Sequence, residues 1–199
     1  MSAQRFFLVI TFLVSISLLV LTGAIIAGCT QDEAAPAAIS EDNNDMGEKE
    51  NKEKENKEQV HTVSLYFADA ADGLLKEQRD IKVKEEELKK EILREIIKGP
   101  NDPELERTIP AETEVYDVSL KNSTAVVDFS QEFQAEHWGG STGEMFSVYS
   151  VVNSLSELPN VEKVQFLIEG EEVDTLAGHL ELKEAIGPYW DLVQDQKAE

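Results

Sequence analysis

Cysteine is almost absent from this sequence, with Cys29 as the one example among 199 residues. A single thiol cannot close a disulfide within the chain, and it cannot supply the cysteine clusters of structural zinc sites. The folded part must therefore be stabilised by an apolar core, because neither kind of cross-link is open to it.

Positive charge is also scarce, since 18 lysine and arginine residues face 40 aspartate and glutamate residues and the net charge is −22. Such an acidic chain repels phosphate groups, which argues against nucleic-acid binding and against adhesion to anionic lipid headgroups. Histidine is limited to His61, His137 and His179, which lie far apart in the sequence without a second ligand at metal spacing. We expect no metal, cofactor or nucleic acid.

The first long apolar run has the features of an export signal. Arg5 precedes a run from Phe6 to Leu21, and the small residues Ala27 and Gly28 lead directly into Cys29. This pattern predicts a signal peptide over residues 1–28. It resembles the lipobox of bacterial lipoproteins, which implies that Cys29 is diacylated, becomes the mature N-terminus and holds the chain on the extracytoplasmic face of the cell membrane. An uncleaved transmembrane anchor stays open, because about 20 apolar residues span a bilayer.

Residues 29–59 predict a disordered acidic tether. From Asp32 to Gln59 the only large apolar residues are Ile39 and Met46, and aromatic residues are absent. Such a segment cannot bury enough surface to order itself. Residues 42–53 follow the spacing of a calcium-binding loop, but Met46 offers no oxygen at the fifth position, so we expect no calcium site.

Residues 60–199 predict one folded domain, with a core region over residues 60–170 and an extension over residues 171–199. Apolar residues alternate in two short segments that predict strands on either side of a turn at Asp72-Gly73. A helical stripe follows and is ended by Gly99-Pro100. The strand positions are Val63, Leu65 and Phe67, then Arg79, Ile81 and Val83, and the stripe is Leu88, Ile92, Leu93, Ile96 and Ile97.

The second half repeats these patterns. Val115–Leu120 and Ala125–Phe129 predict a hairpin that turns at Lys121-Asn122. A second helical stripe ends at Leu158-Pro159, and a further strand precedes Gly170. The stripe is Met145, Val148, Tyr149, Val151, Val152 and Leu155, and the strand positions are Val164, Phe166 and Ile168. These patterns favour an α+β fold, with a mostly antiparallel or mixed sheet and two amphipathic helices on one face.

Gly139-Gly140-Ser141-Thr142-Gly143 matches the G-x-S-x-G spacing of a hydrolase nucleophile elbow, and Asp174 and His179 follow in a suitable order. An elbow requires a buried strand that leads into the serine, whereas the preceding residues are polar and rich in glycine. We therefore predict a capping box, in which Ser141 and Glu144 bind each other's backbone amides. This interpretation leaves the chain without a catalytic residue.

The folded part resembles the GerMN domain, the sporulation and spore germination module. The resemblance rests on VSLYFADAADGLL, IIKGP, TIPAETEV, AVVDFSQEF, the long segment from GSTGEMF to LIEG, and GHLEL. Related sequences commonly close the hairpin with a glycine-containing turn, where this chain has Lys121-Asn122-Ser123. The resemblance implies a non-enzymatic module of bacterial envelope proteins, often lipoproteins, with a fold similar to ring-building motifs. It carries over no binding residue beyond Cys29.

The expected function is that of a non-enzymatic, lipid-anchored extracytoplasmic module for protein–protein assembly in sporulation or spore germination. Its partners would be the membrane, through Cys29, and an envelope protein, with a homo-oligomer left open. The alternative is a lipoprotein that binds the cell wall or a small ligand, which clustered exposed aromatic residues around Trp138 and Trp190 would support. Trp138 is otherwise expected to cover an edge of the core.

Overall fold

The computed structural model of the chain describes residues 57–70 and 73–194. Within those ranges, none of the helices has the length and apolar character needed to cross a membrane. The predicted signal peptide, Cys29, the calcium-like segment over residues 42–53 and Asp72 of the predicted turn lie outside the described residues. What is described is an α+β fold, as predicted, although its strands form two sheets instead of one.

The first sheet is an antiparallel hairpin of β1 (Gln59–Ala68) and β2 (Leu74–Val83). The predicted alternation is correct, because Val63, Leu65 and Phe67 are buried while Thr62 is exposed. The strand begins at Gln59, which pairs with Val83, so pairing reaches further towards the N-terminus than the apolar pattern indicated. The N-terminal half of β1 therefore buries one face, as the period of two requires, while Tyr66 and Ala68 are also buried on the opposite face of its C-terminal half.

A single 3-10 turn (Glu85–Glu87) leads into helix α1 (Leu88–Lys98). The predicted stripe lies in the core, with Leu88, Ile92, Leu93 and Ile96 buried. Gly99 ends the helix at a φ of 93°, in the left-handed region that favours glycine, and its N–H donates to the Ile96 carbonyl at 3.0 Å.

The alternating pattern of β2 includes an arginine, Arg79, among the residues on its buried face. Arg79 is buried and donates to the carbonyls of Glu95 at 3.1 Å and of Gly99 at 2.6 Å, at the C-terminus of α1. Its guanidinium is paired with the Glu77 and Glu95 carboxylates at 2.6 and 2.7 Å. A buried cation is tolerated here because both carboxylates and the helix carbonyls satisfy its donors.

The second sheet has the order β3-β4-β5-β6, with β3 at Val115–Lys121, β4 at Thr124–Phe129, β5 at Lys163–Ile168 and β6 at Glu171–Glu172. Only β4 and β5 run parallel. A parallel pair needs a crossover. The short helix α2 (Glu132–Ala135) and the long helix α3 (Ser141–Ser156) provide it.

The core lies between the helices and both sheets. Three of its aromatic rings, from Phe129, Phe133 and Phe166, have centroids 4.4 to 6.3 Å apart. The chain after β6 is largely irregular, yet it belongs to this core, since Leu176 and Leu182 are buried. The described part of the C-terminal extension, residues 171–194, therefore packs with this core through Leu176 and Leu182.

The β3–β4 hairpin turns one residue later than predicted. Lys121 pairs with Thr124, and the two turn residues, Asn122 and Ser123, have φ angles of 49° and 62°. Two consecutive positive φ angles are typical of a type I′ turn, which usually carries glycine at its second position. The Ser123 carbonyl also accepts hydrogen bonds from the N–H groups of Glu162 and Lys163, at 2.8 and 3.3 Å.

We expect Ser123→Gly to stabilise the protein by roughly 0.5–1 kcal/mol, because glycine adopts a positive φ without the steric cost of a Cβ. Urea unfolding at neutral pH measures the change. Ser123→Ala is the control, since it removes the hydroxyl but leaves the Cβ in the same conformation. Equal stability of the two variants would show that the turn carries no strain.

Candidate functional site

The G-x-S-x-G motif lies at the start of helix α3. Gly139 and Gly140 have φ angles of 78° and 81°, and the helix begins at Ser141. The segment before it is helix α2 and an irregular turn, whereas a nucleophile elbow is entered from a buried strand. The motif therefore turns the chain from α2 into α3.

The predicted capping box is wrong. Gly140 occupies the N-cap position of α3. Because glycine has no side chain, the helix has no side-chain cap there. Ser141 is exposed at the surface, while Glu144, its expected partner, is fully buried. The side chain of Glu144 points into the fold, where several donors of a distant segment bind it.

Those donors are backbone amides of the segment after β6. The N–H groups of Leu176 and Ala177 donate to Glu144 Oε1 at 2.8 and 2.9 Å, and the N–H of His179 donates to Oε2 at 2.8 Å. Burial acts to raise the pKa of Glu144, but the backbone N–H groups outweigh it and hold the pKa below its ordinary value. The carboxylate is thus ionised, buried and satisfied.

The segment curves around this carboxylate by a glycine turn. Gly178 has a φ of 89°, and its N–H donates to Thr175 Oγ1 at 2.9 Å. Leu182 then donates its N–H to the Asp174 carbonyl at 2.8 Å, which closes the loop. Because the loop lacks regular secondary structure, Glu144 supplies the acceptors that a strand partner would otherwise provide.

A serine hydroxyl and an imidazole do meet in this region, but they are not those of the motif. Ser147 Oγ lies 2.9 Å from His137 Nε2, and the N–H of Gly139 donates to His137 Nδ1 at 3.0 Å. Ser147 donates its own hydrogen to the Thr108 carbonyl at 2.5 Å.

This bonding pattern assigns the proton of a neutral His137 to Nε2, since Nδ1 is an acceptor. Burial lowers the pKa of His137 against the raising effect of the nearby Glu144 carboxylate, which agrees with a neutral ring. A general base must accept the proton of the nucleophile. Here His137 donates towards Ser147, and the serine is fully buried, so the pair has the wrong polarity and access for nucleophilic attack.

Polar side chains in the next turns of α3 also form hydrogen bonds with neighbouring segments. Ser150 Oγ donates to the Tyr66 carbonyl at 2.6 Å and accepts from Thr108 Oγ1 at 2.8 Å. Tyr66 N–H donates to Ser154 Oγ at 3.2 Å. Asn153 binds the backbone of Tyr189 through both ends of its amide, at 3.1 and 2.9 Å. Helix α3 therefore fixes β1 and the C-terminal segment through its buried polar side chains.

The other candidate residues from the sequence, the remaining histidines and Asp174, do not come together in a catalytic or metal-binding site. His179 and Asp174 are both exposed, and the Asp174 carboxylate pairs with Lys183 at 3.1 Å. His61 lies in β1 with Nδ1 3.7 Å from Glu85 Oε2. Across the described ranges, no group of three or more histidine, cysteine, aspartate or glutamate side chains could hold a metal ion.

The two tryptophans are exposed and lie in different places, Trp138 beside the first turn of α3 and Trp190 beside β1. Trp138 is 52% exposed and stacks on His137, with ring centroids 5.1 Å apart, near Gly143 in the first helical turn. Its ring contact is with the imidazole, so the expected cover over an edge of the core stays a prediction. Trp190 lies 6.0 Å from the Tyr66 ring, beside the strand that Ser150 and Ser154 bind.

The residues that the sequence reading missed are the buried polar side chains of α3. Ser147, Ser150 and Ser154 recur at helical spacing among the apolar residues of the helix. Small hydroxyl residues at that spacing are a sequence signal for a helix face that binds backbone groups of its neighbours. The carboxylate at Glu144 extends the same face by one turn.

We expect Glu144→Gln to destabilise the protein by roughly 2–3 kcal/mol at pH 7, because an amide carries less charge and turns an N–H₂ group towards backbone donors. The Glu144 contribution is present above the unfolded pKa of about 4.3 and is lost as the pH falls through the lowered folded value. The difference between wild type and variant should therefore shrink below about pH 4, as measured by urea unfolding across pH.

Two controls accompany this variant. Ser141→Ala should change stability by less than about 0.5 kcal/mol, because an exposed side chain without a cap bond contributes little. Glu136→Gln makes the same change of charge at an exposed position. A loss in Ser141→Ala as large as in Glu144→Gln would restore the capping box.

Comparisons with known proteins bear on this fold. The first GerMN domain of the sporulation protein GerM from Bacillus subtilis matches with a TM-score of 0.55 and 23% identity, over 64% of this chain and 97% of that domain. The tandem GerMN domains of the same protein match with a TM-score of 0.56 and 21% identity, over 65% of this chain and 46% of theirs. This chain thus spans a little under half of the tandem structure.

At these identities, the structural likeness shows a shared fold. A search of curated protein sequences found no match. The profile described as "Germane: Sporulation and spore germination" matches residues 64–174, which is more than half of the chain. The match runs from β1 to the start of the loop around Glu144. The chain belongs to this family, and is a GerMN-domain protein of sporulation and spore germination.

Proposed function

We propose that this chain is a non-enzymatic, lipid-anchored module that presents its folded domain to a protein partner on the extracytoplasmic face of the cell membrane. Membership of the sporulation and spore germination family sets the biological context. The small residues leading into Cys29 support the anchor, since that pattern resembles a lipobox. The partner is either another envelope protein or a second copy of the chain.

The observation that carries the non-enzymatic part is the use made of the polar groups in α3. Glu144, Ser147, Ser150 and Ser154 are buried, and each binds backbone groups of a neighbouring segment. A catalytic group must reach a substrate, and it must be free to change its hydrogen bonds during the reaction. In the described part of the chain, these side chains are buried away from any substrate and are held in hydrogen bonds to the backbone. Both observations support a structural role for them.

The charge distribution supports anchoring through acyl chains instead of through the protein surface. With a net charge of −22, the chain is repelled by anionic headgroups. Each buried methylene of an acyl chain contributes about 0.8 kcal/mol, so two chains hold a protein on the membrane. The acidic composition of residues 29–59 suits a spacer between that anchor and the folded domain.

The anchor is tested by metabolic labelling of cells with an alkyne-tagged palmitate. The wild-type chain should carry the label, and its mature mass should correspond to a chain that begins at Cys29. Cys29→Ala should carry none, whereas Thr30→Ala, the control beside it, should be labelled normally. A labelled Cys29→Ala protein, or an unlabelled wild type of full length, would contradict lipid attachment at this residue.

The assembly role is tested by lysine-reactive crosslinking in living sporulating cells, followed by mass spectrometry. We expect crosslinks from the folded domain to another envelope protein, or between copies of the chain, recognised as crosslinks that join one lysine to the same lysine of a second copy. The Cys29→Ala variant serves as the control, because loss of the anchor should lower the yield of these crosslinks. Crosslinks confined to single copies of the chain would contradict an assembly role.

A further inference from the structure

The outer edge of β1 is the edge that faces away from β2. In an antiparallel pair, alternate residues bond the partner strand, and the others direct their N–H and C=O groups outwards. Asp69 N–H donates to the Gly73 carbonyl at 3.1 Å, just beyond the last pair of the ladder, Ala68 with Leu74. The odd-numbered residues of β1 therefore face β2, and the even-numbered residues face outwards.

The C-terminal half of this edge is closed by the protein itself. Ala68 accepts a hydrogen bond from the N–H of Glu106 at 2.8 Å. Tyr66, the next outward residue, is satisfied at both its N–H and its C=O by the hydroxyls of Ser154 and Ser150. Two separate sets of hydrogen bonds, one to Ala68 and one to Tyr66, thus occupy the outward backbone groups closest to the turn.

The N-terminal half of the edge is open. Among the described residues, nothing bonds the outward backbone groups of Ser64 and Thr62, although the Thr62 hydroxyl donates to Asp80 Oδ1 at 2.6 Å. Thr62 and Val60 are exposed, and Ser64 is half-buried. Proteins usually protect such an edge with lysine, proline or a bulge. This edge has none of them at Val60, Thr62 or Ser64.

A groove of about 330 Å³ lies directly beside the open half, between β1, α1 and the end of α3. Its apolar lining comes from Val63, Leu88, Ile92 and Leu158. His61 also lines it, and within the described part of the chain its buried Nε2 has no hydrogen-bond partner. An unpaired buried nitrogen is costly, and a polar group entering the groove would satisfy it.

The charge of the groove identifies the kind of occupant. The lining includes the carboxylates of Glu85 and Glu157 but neither a lysine nor an arginine. The Glu157 carboxylate is paired with Lys76 at 2.7 Å, and Glu85 is largely exposed. A second copy of this chain would add another net charge of −22. A basic segment fits this site, and an acidic one is repelled.

We propose that a basic, extended segment of a protein partner adds as a strand to β1 at Thr62 and Ser64. Its backbone would pair with the four outward N–H and C=O groups, and its alternate side chains would enter the groove beside Leu88 and Ile92. Main-chain bonds supply affinity in this mode of recognition, and the pockets supply specificity. The inference rests on the proposed assembly role and names the surface that performs it.

The test follows exchange of single amide hydrogens by NMR in the full chain, held in detergent micelles. The probe is a synthetic ten-residue peptide of alternating valine and lysine. In the free chain the Thr62 and Ser64 amides should exchange rapidly, whereas the ladder amides of Val63 and Leu65 are protected. Saturating peptide should slow exchange at Thr62 and Ser64 by tenfold or more and leave the ladder amides unchanged.

Two controls separate strand addition from adhesion to an acidic chain. The same peptide with glutamate in place of lysine should give no protection. Thr62→Pro keeps the net charge and spares the ladder, because the lost N–H faces outwards, and it should abolish protection at Ser64. Should that variant not fold, the wild-type exchange pattern still decides the question.

Several outcomes would overturn the proposal. These are lysine-peptide binding without protection of Thr62 and Ser64, equal binding to Thr62→Pro, and protection that appears with protein concentration alone, which would assign the edge to a second copy. Labelling of Cys29 and crosslinking to a partner at any surface would support the proposed function, whereas this inference needs the partner at β1. Crosslinks that map only to surfaces away from β1 would therefore refute this inference while the proposed function stands.

Discussion

A buried carboxylate determines how the second half of this fold is held together. An ionised glutamate inside a protein costs several kcal/mol unless hydrogen bonds satisfy it. Glu144 receives three backbone N–H groups from Leu176, Ala177 and His179, and these same groups would be unpaired without it. The loop after β6 can therefore lie against α3 without forming a strand. Each partner thus depends on the other for its hydrogen bonds.

Other polar side chains of α3 also form hydrogen bonds with backbone groups of distant segments. These bonds help to hold together the described chain, which has no disulfide. Ser147 satisfies the Thr108 carbonyl, Ser150 and Ser154 satisfy the outward groups of Tyr66, and Asn153 binds both backbone groups of Tyr189. Each contact joins α3 to a segment distant in sequence. Individually such bonds contribute about 1 kcal/mol, but an unmade bond in the core costs more than that. The apolar core provides most of the stability, while the polar face of α3 fixes which segments meet there.

This dependence on distant partners also explains which features could be predicted from the sequence. The apolar periods placed β1, α1 and α3 correctly, because burial of one face acts on each element locally. Ser141 and Glu144 have the spacing of a capping box, but that local pattern competes with donors that only the fold brings close. The division of the strands into two sheets is likewise a matter of which strands pair, and the apolar pattern within each strand does not specify that. Ser123 shows a third limit, since a left-handed turn without glycine carries no clear sequence signal.

Most buried polar side chains of this domain bind its own backbone, and this limits the groups that remain for binding a partner. Most of its buried polar side chains already have partners, among them the Glu144 carboxylate and the Asn153 amide, and its surface carries acidic charge that repels most anionic ligands. Recognition then has to use groups that the fold leaves unmatched. Along β1, the protein covers Ala68 and Tyr66 but leaves Thr62 and Ser64 open beside an acidic, partly apolar groove. Backbone pairing needs no specialised side chain, so a module of this kind can assemble with a partner while Glu144 and the serines that bind Thr108 and Tyr66 remain bound within its own fold.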